Sequence, residues 1–169
     1  MQIISLDLST KSTGWSVFEE TNLIEYGCIT ASSTDVIKRI QKISSELNKV
    51  FSKYPNISNV IIEEVRPENN QYGVGNLHTQ KVLMWLQASI IFILHDNYPN
   101  VKVEYVYPSS WRAACGIHTG RGIKRTSLKT ADINFVKENY NITVNDDIAD
   151  AICIGHAFTN KIDNEINWE

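Results

Sequence analysis

Three apolar runs in this chain each carry carboxylates where a core side chain is expected. Asp7 closes Ile3-Ile4-Ser5-Leu6-Asp7-Leu8, and Glu63 and Glu64 close Val60-Ile61-Ile62-Glu63-Glu64-Val65. Asp147 and Asp150 lie three apart at the start of a third apolar segment, Ile148-Ala149-Asp150-Ala151-Ile152. An isolated buried charge is strongly unfavourable, so ionised acids inside a core are normally paired or bound to metal. No basic residue is interleaved in any of the three segments. A fold that buries them must bring the acids together around positive charge, and divalent cations are the economical candidate.

The rest of the chain says how such a fold is ordered. Residues 2–8, 14–18 and 23–29 read as strands joined by short links, which favours an antiparallel meander. A helix over 35–54 follows, with Val36, Ile40, Ile43, Leu47, Val50 and Phe51 at spacings of four and three. Ser33 or Thr34 can cap it. A strand over 59–65, a polar loop over 67–75 and a helix over 77–95 come next. That helix is apolar on nearly every face from Val82 onward, so it is either central or shared with a partner subunit. Strand 101–107 is stopped by Pro108, and 109–124 reads as a loop with one helical turn over 110–115. Helices over 126–140 and 146–160 complete the order. Strands followed by alternating helices and strands imply an α/β fold with a mixed five-stranded sheet, three strands antiparallel and two parallel, and helices on both faces. The same order matches the ribonuclease H-like fold. With 169 residues and no internal linker, a single domain over 1–169 is expected.

Composition narrows the function classes. Cys28, Cys115 and Cys153 are scattered and form no C-x-x-C pair, which argues against a zinc knuckle or a disulfide framework and fits a reduced, cytoplasmic setting. The first residues enter a strand pattern directly, so no signal peptide is expected. The apolar stretch from Val82 to Leu94 is broken by Gln87 and Ser89 and falls short of the roughly 20 residues that span a bilayer, so no membrane partner is expected. The net charge of −3 hides an uneven distribution. Lys102, Arg112, Arg121, Lys124, Arg125 and Lys129 face Glu104 alone, whereas seven acids from Glu138 onward face only Lys161. A basic segment beside an acidic one suits a metal site next to a phosphate-binding surface.

Periodicity leaves two choices open. Successive strand residues face opposite sides, so only one of Glu63 and Glu64 can point with Asp7. Asp147 and Asp150 share a helix face, and so do Asp146 and Asp150. Capping explains an acid at the helix start, at Asp146 or Asp147, but not Asp150 one turn further in. Convergent carboxylates suit Mg²⁺ or Mn²⁺, and two such ions roughly 4 Å apart clamp the attacking and leaving oxygens of a phosphodiester. The hydroxyl-rich turn Ser9-Thr10-Lys11-Ser12-Thr13-Gly14 after Asp7 can hold a phosphate through Ser9 and Thr10, although a plain hairpin turn needs the same residues. A similar turn opens actin-like ATPases, but those need a second phosphate loop that this chain lacks.

These motifs together resemble RuvC-like Holliday-junction resolvases, above all the bacteriophage versions, over nearly the whole chain. Ile4-Ser5-Leu6-Asp7 with Thr13-Gly14-Trp15 resembles the family's first motif, Val60-Ile61-Ile62-Glu63 its second, and Asp147-Ile148-Ala149-Asp150-Ala151 its third. The resemblance implies a catalytic and metal-binding set of Asp7, Glu63, Asp147 and Asp150, selecting Glu63 over Glu64 and Asp147 over Asp146. It implies two Mg²⁺ ions per site, with Mn²⁺ substituting, and a homodimer that nicks four-way DNA junctions, with three-way or flap DNA as further branched substrates. The setting would be the cytoplasm, that of the host if phage-encoded. Arg112 and Lys124 or Arg125 stand nearest to the family's basic residues at the scissile phosphate, and Arg121 and Lys129 extend this DNA-binding set. Departures are visible too. Asp7-Leu8-Ser9-Thr10 replaces the cellular Asp-Pro-Gly-Ser, and Arg66-Pro67 stands where an aromatic wedge is usual. The alternatives to a junction nuclease are a ribonuclease on the same fold, reading the wide minor groove of RNA or a hybrid duplex, and a non-catalytic branched-DNA-binding protein.

Overall fold

The computed structural model describes residues 1–64 and 77–164. Val65 and the 67–75 loop therefore lie outside the described residues. The chain runs β1 (Gln2–Asp7), β2 (Ser12–Glu19), β3 (Asn22–Thr30), α1 (Val36–Lys53), β4 (Ile57–Glu63), α2 (Leu77–Asn97), β5 (Lys102–Val106), α3 (Pro108–Ala114), α4 (Arg125–Tyr140) and α5 (Asp146–Asn164). The five strands form one sheet in the order β3-β2-β1-β4-β5, with β1 in the centre. β1 to β3 are the expected antiparallel meander, and β4 and β5 run parallel to β1.

Strand alternation divides the core in two. Ile4, Leu6, Val60 and Ile62 face α1 and α2, meeting Ile43, Leu47, Phe51, Leu86 and Ile90. Ile3, Phe18 and Ile61 face the other way, toward Trp111, Val136, Ile152 and Cys153. Each fully buried Leu, Ile or Phe in these layers stabilises by about 1.5–3 kcal/mol. The polar pair that interrupts α2 is used within the fold. Gln87 donates to the Glu63 carbonyl (3.3 Å), and Ser89 bonds Ser44 (2.7 Å). The opposite side of α2 leaves Met84 (61%), Trp85 (43%) and Phe92 (69%) exposed.

Some local expectations differ. Asp35, not Ser33 or Thr34, caps α1, with its Oδ1 accepting from the amides of Ile37 (2.8 Å) and Lys38 (3.4 Å). β4 begins two residues earlier than its pattern suggests. Pro108 does not merely end β5. It opens α3, because the first helical turn needs no N–H and proline's fixed φ suits it. α5 lies against the sheet closely enough for Ser5 and Ser16 of β1 and β2 to donate to the Ala151 carbonyl, at 2.8 and 3.1 Å. Glycine makes this approach feasible. A Cβ at Gly155 would strike Phe18 and Ser5, and one at Gly14 would strike the Asp147 carbonyl.

Candidate active site at the carboxyl ends of β1 and β4

The strand register decides between the two glutamates. Ser5 pairs with Ile61 and Leu6 with Ile62, so Asp7 and Glu63 come next in step. Ile3 and Ile61 belong to the layer that meets α5, and Asp7 and Glu63 share their parity. Glu64 takes the opposite parity, and its amide continues the pairing to the Val106 carbonyl (2.9 Å).

The start of α5 completes the group. Its cap is Asn145, whose side chain accepts from the Ile148 amide at 2.9 Å, so neither aspartate at 146 or 147 is needed for that role. Asp146 pairs with Lys129 of α4 and its carboxyl is held below the usual range by that bond. Asp147 turns toward β2, where Ser12 donates to it. Asp150 is buried, and its Oδ1 has no hydrogen-bond partner among the described residues.

These acids act on one another. Burial, then the charges of Glu63 and Asp147, push Asp7 up to about 8. Burial, then Asp7 and Asp132, push Asp150 up to about 9. Burial also raises Glu63, against the Trp111 indole, whose Nε1 donates to its Oε2 at 2.8 Å. Such shifts mark carboxylates that share a site short of positive charge. Two cations answer them in part. The charges of Lys129 and Arg112 both favour ionised Asp7. Among the described residues, no three acidic, histidine or cysteine side chains converge tightly enough to form a ready-made cage. Glu63 and Asp147 are each held by a neutral donor instead.

The basic residues divide. Arg121, Lys124 and Arg125 are exposed around the start of α4, and Arg125 is near enough to act on Glu63. Arg112 differs from the expectation of an outward phosphate contact. Its guanidinium is turned inward onto Asp132, with Nη2 2.8 Å from Oδ2 and Nε 3.2 and 3.1 Å from the two oxygens. Lys129, also expected on DNA, is engaged by Asp146. In the β1–β2 turn, Thr10 is buried, while Ser9 is half-buried and its backbone bonds the Thr13 hydroxyl. Trp111 is fully buried in α3. Asp132 was not anticipated from sequence. Its signal is there, because Leu128, Asp132 and Val136 fall four apart on one helix stripe.

A mixed sheet of this order with acids at the ends of its central strands defines a ribonuclease H-like domain with an acidic centre. The sequence profile of the crossover junction endodeoxyribonuclease RuvC family matches residues 3–157, and the chain belongs to that family. A curated relative, the crossover junction endodeoxyribonuclease RuvC of Endomicrobium trichonymphae, is 36% identical over 67 residues, a match covering 36% of this chain and 35% of the relative. Among solved structures, Thermus thermophilus RuvC in complex with a Holliday junction substrate superposes with a TM-score of 0.74 at 13% identity, covering 96% of this chain and 95% of that one. The yeast mitochondrial Holliday junction resolvase Ydc2 gives 0.61 at 11% identity, covering 93% and 78%. At these identities the likeness shows the fold.

Proposed function

We propose that this protein is a divalent-metal-dependent, structure-selective endodeoxyribonuclease that nicks Holliday junctions or other branched DNA by phosphodiester hydrolysis. The carrying observation is the mutually repelling set of Asp7, Glu63 and Asp150 with Asp147 beside it, including one buried carboxylate oxygen left without a partner. An all-oxygen donor set with excess negative charge fits hard cations. Asp7, Glu63, Asp147 and Asp150 would hold them, as two Mg²⁺ ions with Mn²⁺ substituting. When bound, the metal supplies charge stabilisation for the oxygens exchanged at phosphorus.

The residues of the chain do the remaining work. Trp111 and Ser12 orient Glu63 and Asp147 by hydrogen bonds, so that these carboxylates keep their aim before metal arrives. Arg121, Lys124 and Arg125 present exposed positive charge to the DNA backbone beside the acids. We assign Arg112 and Lys129 to charge compensation within the site rather than to phosphate, and Ser9 and Thr10 to shaping the turn that carries Asp7. The exposed apolar side of α2 supports a homodimer, which would set two sites across one junction. Three free cysteines suit a reducing cytoplasm.

The test is a panel of four-way, three-way, flap, duplex and hybrid substrates with Mg²⁺, Mn²⁺ and Ca²⁺, run for the wild type and Asp7→Asn. Branched DNA should be nicked by the wild type with Mg²⁺ or Mn²⁺. The variant should still bind the junction yet lose cleavage by at least about 10³-fold, the scale seen when one member of a catalytic set is removed. Wild-type nicking by Asp7→Asn would end the assignment, and preferential cutting of hybrid duplex would move it to a ribonuclease.

A further inference from the structure

We propose that Asp132 is a positioning residue of the acidic centre: it clamps Arg112 with both carboxylate oxygens and so keeps the guanidinium from closing on Asp150, leaving that carboxylate open to a divalent cation. This rests on the reading of the site as a divalent-cation nuclease centre.

Asp132 occupies the core stripe of α4 and is 0% exposed. Its carboxylate takes three hydrogen bonds from Arg112, on α3, and it also lies beside the Asp150 carboxyl, which it helps to push up. The same guanidinium lies over the Trp111 ring, 4.1 Å from its centroid, and its Nη2 reaches within 3.7 Å of Asp150 Oδ2. That separation is beyond a hydrogen bond, for which N–H···O distances run to about 3.2 Å. Asp150 is thus near a cation but not bonded to it, and its Oδ1 is buried and unpartnered.

The arrangement is informative because a planar guanidinium pairs readily with a carboxylate through two parallel bonds. An Arg112 released from Asp132 has Asp150 as its nearest acid. Moving onto it would satisfy the orphaned oxygen and occupy the lone pairs a metal needs. Asp132 also offsets a charge that bears on Asp7, Glu63 and Asp150 alike. A merely structural ion pair would stabilise the fold without touching metal affinity, so affinity is the discriminating readout.

Mn²⁺ titrated calorimetrically into the metal-free full chain tests this, with a thermal melt for each protein. Asp132→Asn is expected to weaken Mn²⁺ binding by about 10- to 100-fold, the range found when a residue supporting a metal ligand is lost. Removing the competitor as well, in Arg112→Gln/Asp132→Asn, should return affinity to within about threefold of wild type, because the two residues act as one unit. A folded Asp132→Asn that binds Mn²⁺ like wild type overturns the proposal, as does a double variant as weak as the single. Should the single variant not fold, the double alone decides by the same threefold criterion. A wild type that binds no Mn²⁺ overturns the cation reading itself, an outcome distinct from failure of the clamp.

Discussion

At the scale of single residues, the metal-free site is under electrostatic tension that pH should reveal. Asp7 is raised from 3.8 to about 8 by burial and by the charges of Glu63 and Asp147, Asp150 from 3.8 to about 9 by burial and by Asp7 and Asp132, and Glu63 is raised by burial as well. In the unfolded chain these groups release their protons near pH 4. The folded protein therefore holds more protons than the unfolded one between about pH 4 and 9, and its stability falls as pH rises through that window. In EDTA the melting temperature should drop by several degrees, roughly, from pH 5 to pH 8.5, and Mg²⁺ or Mn²⁺ should recover most of the loss at the higher pH. A flat or rising EDTA profile would contradict this account. The same residues show what sequence could and could not resolve. The cost of burial identified Asp7 and Asp150 as anomalous without any structure. Periodicity left Glu63 against Glu64 open and the resemblance selected Glu63; which of the two faces α5 is set by the β1–β4 register, a long-range pairing that local sequence does not carry. The resemblance alone put Arg112 on phosphate; its partner, Asp132, is 20 residues away on another helix, where no local pattern links the two.

At the scale of elements, α5 governs the site, because it both carries two of the acids and presses them onto the sheet. Gly14 lies where the β2 backbone meets the first turn of α5, and any side chain there strikes the Asp147 carbonyl. Backbone cannot yield as a flexible side chain can. Gly14→Ala should therefore displace the start of α5, destabilise by about 1–3 kcal/mol, and reduce cleavage by more than the stability loss explains. Cleavage measured well below the melting temperature separates the two effects, and an unaltered rate would show that Asp147 tolerates the shift. Element order was legible because amphipathic spacing and short links left few topologies. α3 was legible only in part: one helical turn over 110–115 was expected, but a seven-residue helix carries too little periodicity to show that it starts at Pro108.

At the scale of the whole molecule, one feature sits poorly with water. The outer side of α2 carries Met84, Trp85 and Phe92 in the open, with Lys81 lying 5.0 Å from the centre of the Trp85 ring. If this side pairs with a second copy, Phe92→Glu should convert a dimer to a monomer in sedimentation velocity while leaving the melting profile of the subunit nearly unchanged. A wild type that sediments as a monomer at micromolar concentration would rule the pairing out.

The hydroxyls of Ser5 and Ser16 on the Ala151 carbonyl tie the first strands made to nearly the last helix, across 146 residues for Ser5. On the ribosome, β1 and its aspartate emerge first, and the other half of the acidic centre follows only after the 140 residues from Asp7 to Asp147 have been synthesised. At about 5–20 residues per second that is a delay of roughly 7 to 28 seconds. A chain that stops before α5 has Asp7 and Glu63 but lacks Asp147 and Asp150. The acidic centre is in this sense a late product of synthesis, completed only when α5 arrives.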